Sequence, residues 1–349
     1  MGGLEEKVGP SIPLTAADES YTHQIVAPHL QTQYVHPAWG DRCYHQLHVE
    51  DLAINLGRQL YPHDGRRFAF AGIATPERMY CLRAAEPFAP GDDPNQATIG
   101  SVTIEVVRPL EEIHLRAVDP GFPVSLDLTY IGRFLPVPTD RNVIEVRGEI
   151  VTDYMNFFQS GLYSGTITVD GRRYEVRNRA GFRDRGWGIR KHESSGRRGI
   201  VIAVFCELAD RALYALLYET ASGRRALSNG WLLDESGLRD RATTIEHDLE
   251  LDGTLVTAGS VDITWTSGRT DRIEFRNLVR NYLGGIGYTL DPALKQPGID
   301  VFDLGDPSVV ERLDGQNDQG CHFEVGGETG HGYVETGIGV HPRYRPQPD

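Results

Sequence analysis

Hydrophobic and polar positions alternate along most of this chain, and turn residues interrupt the alternation at short intervals. Tyr163–Val169 (YSGTITV) alternates, meets Asp170-Gly171, and resumes as Arg172–Arg177 (RRYEVR). A D-G pair between alternating runs predicts a β-hairpin, because both central residues of a type I′ turn need positive φ. Leu213–Thr220 with Arg225–Leu233 around Ser222-Gly223, and Ser260–Thr266 with Thr270–Asn277 around Ser267-Gly268, predict two further hairpins. Gly199–Leu208 (GIVIAVFCEL) is apolar enough for a strand buried on both faces. In the first half, Cys43–Val49, Phe68–Ile73, Glu77–Ala84, Val102–Val107, Glu112–Val118 and Val124–Ile131 read as strands. Short helices are expected near Asp153–Ser160 and Asp306–Arg312.

Strands this numerous, with helical periodicity scarce, predict an all-β fold of antiparallel sheets or barrels rather than βαβ units. The 349 residues exceed one typical core. Glycines 181, 186, 188, 196 and 199 gather with many charges where a boundary would fall. The expected organisation is therefore two β units, 15–185 and 190–340.

Hydrophobic residues make up 40% and charged residues 24%, an ordinary globular composition. A formal net charge of −14 argues against nucleic acid as a partner, since phosphate binding needs a basic face. No run approaches the ~20 apolar residues of a membrane helix, and Met1–Pro10 lacks the layout of a signal peptide. A cytoplasmic location is expected. Cys43, Cys81, Cys206 and Cys321 are far apart and are read as buried thiols rather than zinc ligands. Gly284–Gly287 (GGIG) lacks the spacing for dinucleotide binding, and no G-x-S-x-G elbow is present. No cofactor and no metal are expected.

The candidate centre is Gly181–Arg190 (GFRDRGWGIR), followed by His192. An apolar wall raises a carboxyl pKa, so Asp184 could hold a proton near neutral pH and deliver it. The π face of Trp187 could stabilise a developing cation, and Arg185 or Arg190 could orient an anionic group. The alternative is an ion pair of Asp184 with Arg183 or Arg185 beside a packed Trp, which spacing alone favours. In a strand, Phe182, Asp184 and Gly186 share one face and Arg183 and Arg185 the other. Trp187 reaches the face of Asp184 only if the chain bends, and Gly186 and Gly188 would permit it. Asp184 and Trp187 are thus expected to line the main pocket, with Tyr163, Arg185, Arg190 and His192 near.

Other polar groups carry less. His45 and His48 fall on opposite faces of a strand, a poor metal site. His23, His29 and His36 read as loop histidines. His322 with Glu324, and His331 with Tyr333 and Glu335, read as the wet face of outer strands or a polar patch in a pocket. Tyr163 and Tyr282 are possible ligand donors that more simply belong to the core.

The motif Gly181, Arg183, Asp184, Arg185, Gly186, Trp187, Gly188 resembles the G-x-R-D-R/H-S-W-G pattern of the AttH-like and carotenoid-hydratase (hydroxyneurosporene synthase) group of tandem lipocalin-like proteins. Gly186 stands where that pattern has a Ser or small polar residue. Tyr163-Ser164-Gly165 with Val169-Asp170-Gly171 fits the preceding hairpin, and Gly330 with Gly332-Tyr333-Val334-Glu335 fits the terminal strand. The resemblance spans roughly residues 30–340, with specific matches in these three places. It implies two lipocalin-like (calycin-type) β units with a site in or between them, and a cofactor-independent hydratase, isomerase or cyclase acting on an apolar terpenoid, polyketide or aromatic molecule. Asp184 would then be the proton donor and Trp187 the cation-facing wall, with Arg185, Arg190, His192, Tyr163 and Glu335 near the substrate. The alternative on the same fold is a carrier that binds a small molecule without changing it.

Overall fold

A computed structural model describes residues 14–23, 36–89, 91–146, 149–191, 199–289 and 291–346. The strands are antiparallel throughout, and only one short α-helix interrupts them among these residues. The chain begins with β1 (Trp39–Val49), β2 (Leu52–Tyr61), β3 (Arg66–Ala74), β4 (Arg78–Pro87), β5 (Thr98–Ile99) and β6 (Val102–Arg108). It continues with β7 (Glu112–Val118), β8 (Val124–Gly132), β9 (Val137–Pro138), β10 (Asn142–Val146), β11 (Glu149–Val169) and β12 (Arg172–Arg190). These form one sheet in the order β4-β3-β2-β1-β12-β11-β8-β7-β6-β5, with β9 and β10 on the side of β11. The sheet curls on itself. A Cβ on Gly100, beside β5, would lie 2.8 Å from that of Ala84 on β4. Leu56, Ile73 and Leu82 from one end pack with Ile104, Leu115 and Leu126 from the other.

The second unit is a closed barrel of β13 (Ile200–Glu207), β14 (Arg211–Glu219), β15 (Arg225–Asp234), β16 (Gly237–Asp252), β17 (Leu255–Trp265), β18 (Thr270–Tyr282), β20 (Gln316–Val325) and β21 (Glu328–Ile338). Between β18 and β20 the chain leaves the barrel. There β19 (Gly298–Asp303) pairs with β4 at the edge of the first sheet, and α1 (Pro307–Leu313) leads back. A third apolar core, with Phe158, Phe182, Phe205, Tyr214, Trp231 and Tyr333, fills the space between the units.

The all-β, two-sheet expectation is met. Asp170 and Gly171 both have positive φ (47° and 82°), as the D-G hairpin requires. The helix expected at Asp153–Ser160 is instead part of β11, because this stretch pairs with β12 along its whole length. Tertiary pairing overrides a local propensity there. No helix among the described residues is long and apolar enough to cross a membrane. All four cysteines are buried and free.

Candidate active site

Strand β12 lies between β1 and β11. Asp184 stands opposite Tyr44 and Phe158, and Gly186 opposite Arg42 and Asn156. Directly opposed residues share a face of the sheet. Tyr44, Phe158, Phe182 and Asp184 therefore form one patch, and it faces the barrel. Ala203, Phe205, Leu216 and Glu335 close over it from β13, β14 and β21, leaving a cavity of about 170 Å³ between the units. The Phe182 and Phe205 rings stack at 3.7 Å on its wall.

Asp184 meets this cavity with little polar support. Among the described residues no hydrogen-bond donor reaches its carboxylate. Burial, then the charge of Glu335, pushes its pKa up to about 7 against the pull of Arg190, Arg185 and Arg42. Burial also raises Glu335, while Arg190 and a hydrogen bond from the Gln316 amide oppose it. Behind them Asp318, with no exposed surface, accepts from Tyr44 Oη (2.7 Å) and Asn55 Nδ2 (2.8 Å). Burial and the charge of Glu335 hold it well above the ordinary carboxyl range. Three carboxyls in this setting favour retained protons over full ionisation.

Gly186 serves the same face by lacking a side chain. A Cβ there would lie 2.0 Å from Tyr154 Oη. The Tyr154 phenol occupies that space, with the Arg42 and Arg190 guanidiniums 5.7 and 5.6 Å from its ring centre.

The opposite face of β12 is built otherwise. Arg183 donates to Glu19 (2.9 Å) and to Gln159 (2.7 and 2.9 Å). Arg185 donates to Asp41 and to the carbonyls of Arg42 and Ser20 (both 2.8 Å). Tyr21 lies between the guanidiniums of Arg58 and Arg185, each 3.9 Å from its ring. Trp187 stacks on His23 at 3.6 Å, and His23 Nδ1 bonds Asp41 at 2.9 Å. A 3₁₀ turn at Ala16–Glu19, capped by Thr15, presents Glu19 to Arg183.

These positions correct several expectations. Trp187 does not line the cavity, because β12 pairs with both neighbours without a shift from Phe182 to Ile189 and alternation continues through the glycines. Gly188 has a φ of 129°, but what it relieves is a Cβ contact of 2.1 Å with the Asp153 carbonyl. Arg185 is sealed against Asp41 and faces away from the cavity. Tyr163 is buried in the core of the first unit. Its hydroxyl donates to the Phe182 carbonyl (2.9 Å), behind the site rather than within it. Arg190 and Glu335 both line the cavity, and His192 lies outside the described residues. The ion pair of Asp184 with Arg183 or Arg185 is not made; both arginines bond other carboxylates.

His331, Tyr333 and Glu335 do not form a wet face. His331 bonds the Ala180 carbonyl and Tyr333 that of Leu47, so this face of β21 meets the first unit. His322 and Glu324 are exposed. His23 is not a free loop residue, and Tyr282 belongs to the core between the units. His45 turns to Tyr163 and Tyr130, whereas His48 turns to Gly320 in the barrel. Among the described residues no group of His, Cys, Asp and Glu is arranged to hold a metal ion.

Sequence reasoning missed Tyr44, Tyr154 and Asp318. The available signal for Asp318 was the polar run Gln316–Gln319, which forms a buried strand segment rather than a loop.

The family described as a domain of unknown function, DUF7064, matches residues 38–284. No curated protein matches the sequence. Among solved structures, an AttH-like protein of Nitrosomonas europaea is similar at 13% identity and a TM-score of 0.52, over 86% of this chain and 92% of that one. Kievitone hydratase from Nectria haematococca is similar at 12% identity and a TM-score of 0.51, over 91% of this chain and 95% of that one. The fold resemblance read from the motif is thereby borne out.

Proposed function

The chain belongs to the DUF7064 family, and on that premise we propose that it is a cofactor-independent enzyme of the hydratase, isomerase or cyclase kind. Its substrate is an apolar terpenoid, polyketide or aromatic molecule whose reacting part enters the cavity between the units. The observation that carries this reading is Asp184, a carboxyl raised to about 7 in a cavity walled by Phe158, Phe182 and Phe205. A group poised near neutral pH is suited to general acid catalysis. That one fold neighbour is a hydratase by name agrees with it but fixes no substrate.

Asp184 delivers its proton to an unsaturated carbon. The aromatic faces stabilise the cation. In a hydration, water adds to the cation and its surplus proton passes to the Glu335 carboxylate. In an isomerisation or cyclisation, Glu335 removes a proton from a neighbouring carbon instead. Return of the proton from Glu335 to Asp184 restores the site. The charge of Glu335 helps to hold the proton on Asp184, while Arg190 and the Gln316 amide favour the ionised form of Glu335, so the two carboxyls are suited to act as acid and base.

The test couples capture of bound metabolites from the purified protein with turnover assays of the captured molecule. Asp184→Asn is expected to lower kcat by about 10²–10⁴-fold while binding persists. Undiminished turnover in the variant would remove Asp184 from the chemistry, and release of the captured molecule unchanged by the parent protein would leave the carrier alternative in its place.

A further inference from the structure

The Asp184 cavity holds about 170 Å³, less than the ~300–1,000 Å³ of a site that takes a whole drug-sized ligand. A second cavity of about 740 Å³ opens on the other side of Arg190, which lines both. Its charge is opposite to that of the chain. Among the described residues Arg66, Arg83, Arg190, Lys191 and Lys295 line it with Asp64 the one carboxylate, Arg83 being paired with Asp300 outside it, although the whole sequence has 49 acidic and 35 basic residues. Its walls are aromatic as well, with Tyr61, Phe68, Phe70 and Tyr288.

An independent observation lies beneath the junction of the two cavities. Arg42 is buried, with 7% of its surface exposed, between the Tyr61 ring of the second cavity and the Tyr154 ring of the first. Among the described residues its Nη1 has no hydrogen-bond partner and no carboxylate forms a salt bridge with it. A buried cation without a counter-ion favours an anion nearby.

We propose that the second cavity binds the non-reacting end of the substrate, an aromatic or polycyclic body carrying one anionic group, a carboxylate or a phosphate. The proposal rests on the preceding reading for the placement of the reacting end. The anion sits among Arg66, Arg190 and Lys295, and the body lies against Phe68, Phe70 and Tyr288.

Two fluorescent probes of matched shape test it without turnover: anilinonaphthalene sulfonate, which is anionic, and N-phenylnaphthylamine, which is neutral. The sulfonate is expected to bind, and its Kd to rise about tenfold or more in the double variant Arg66→Gln, Lys295→Gln. Both residues are exposed, so the change should cost little stability. Raising salt from about 50 to about 500 mM should weaken the sulfonate likewise, while the neutral probe changes by less than about twofold. Equal response of the two probes, or none, would overturn the assignment. Leu216→Trp, which fills the Asp184 cavity, should leave the sulfonate bound; loss of binding there would place the probe in the wrong cavity and overturn it too. Competition by naphthoate or by naphthyl phosphate identifies the anion, and displacement by neither refutes the site. Because Asp184 takes no part in these measurements, failure of the acid role and failure of this site give different results.

Discussion

On one face of β12, Arg183 and Arg185 meet Glu19 and Asp41 in pairs that are almost wholly buried. On the other, 1 residue away, Asp184 faces a cavity with no hydrogen-bond donor in reach among the described residues. The first face has every feature of a structural network, with charges matched and rings stacked. The second leaves a half-buried carboxyl without a donor, and its pKa is raised toward neutral. Local sequence cannot distinguish these carboxylates and arginines by type. Strand parity does, because it decides which partners each side chain meets.

Substitutions on the two faces should separate stability from chemistry. The largest effect is expected from Arg185→Ala, which leaves Asp41 with no exposed surface and without its arginine. Unfolding by denaturant should show a loss of about 3–5 kcal/mol, and a cost under about 1 kcal/mol would show that this face does not hold the sheet.

Asp184→Asn should do the reverse. Its carboxyl lies at about 7 in the folded protein against ~3.9 unfolded. Stability relative to an unperturbed carboxyl is therefore fully present below pH ~4 and is lost as pH rises through ~7. The Asn variant should be the more stable by about 1–3 kcal/mol at pH ~8, with cavity water reducing the full conversion. At pH ~5, where mainly the unfolded carboxyl is ionised, that advantage should shrink to about a third. Thermal melts at both pH values check the sign. An Asn variant less stable at the higher pH would contradict it.

The smallest effect is expected from Trp187→Leu. Loss of the stack on His23 should cost about 0.5–1.5 kcal/mol and leave turnover of a captured substrate within about twofold of the parent. A collapse of turnover comparable to that of Asp184→Asn would abolish the distinction between the faces.

Much of this was legible in the sequence. The D-G and S-G turns set hairpins that the sheets reproduce, and alternation put Asp184 on the face opposite Arg183 and Arg185. The error at Trp187 came from treating glycines as a bend when they serve close contacts with Tyr154 and the Asp153 carbonyl. Such contacts depend on β11, which is not local to them. Asp318 and Tyr44 meet across 274 residues, and no local pattern encodes that distance. Glu19 and Tyr21 lie in a stretch without periodicity, so their docking on β12 left no signal. The excursion of β19 to the first sheet was equally hidden, since GIDVFD was not read as a strand and nothing local to it names β4 as its partner.

The central claim is that the carboxyl of Asp184 is protonated near neutral pH because its own face desolvates it. Carbon-13 labelling of the aspartate side chains, with Asp184→Asn to assign the resonance, allows its titration to be followed by NMR without any substrate. An apparent pKa of about 7 is expected, moving downward in Glu335→Gln as the neighbouring negative charge is removed. A titration near ~4, unchanged by Glu335→Gln, would contradict the account and return Asp184 to the ordinary aspartates.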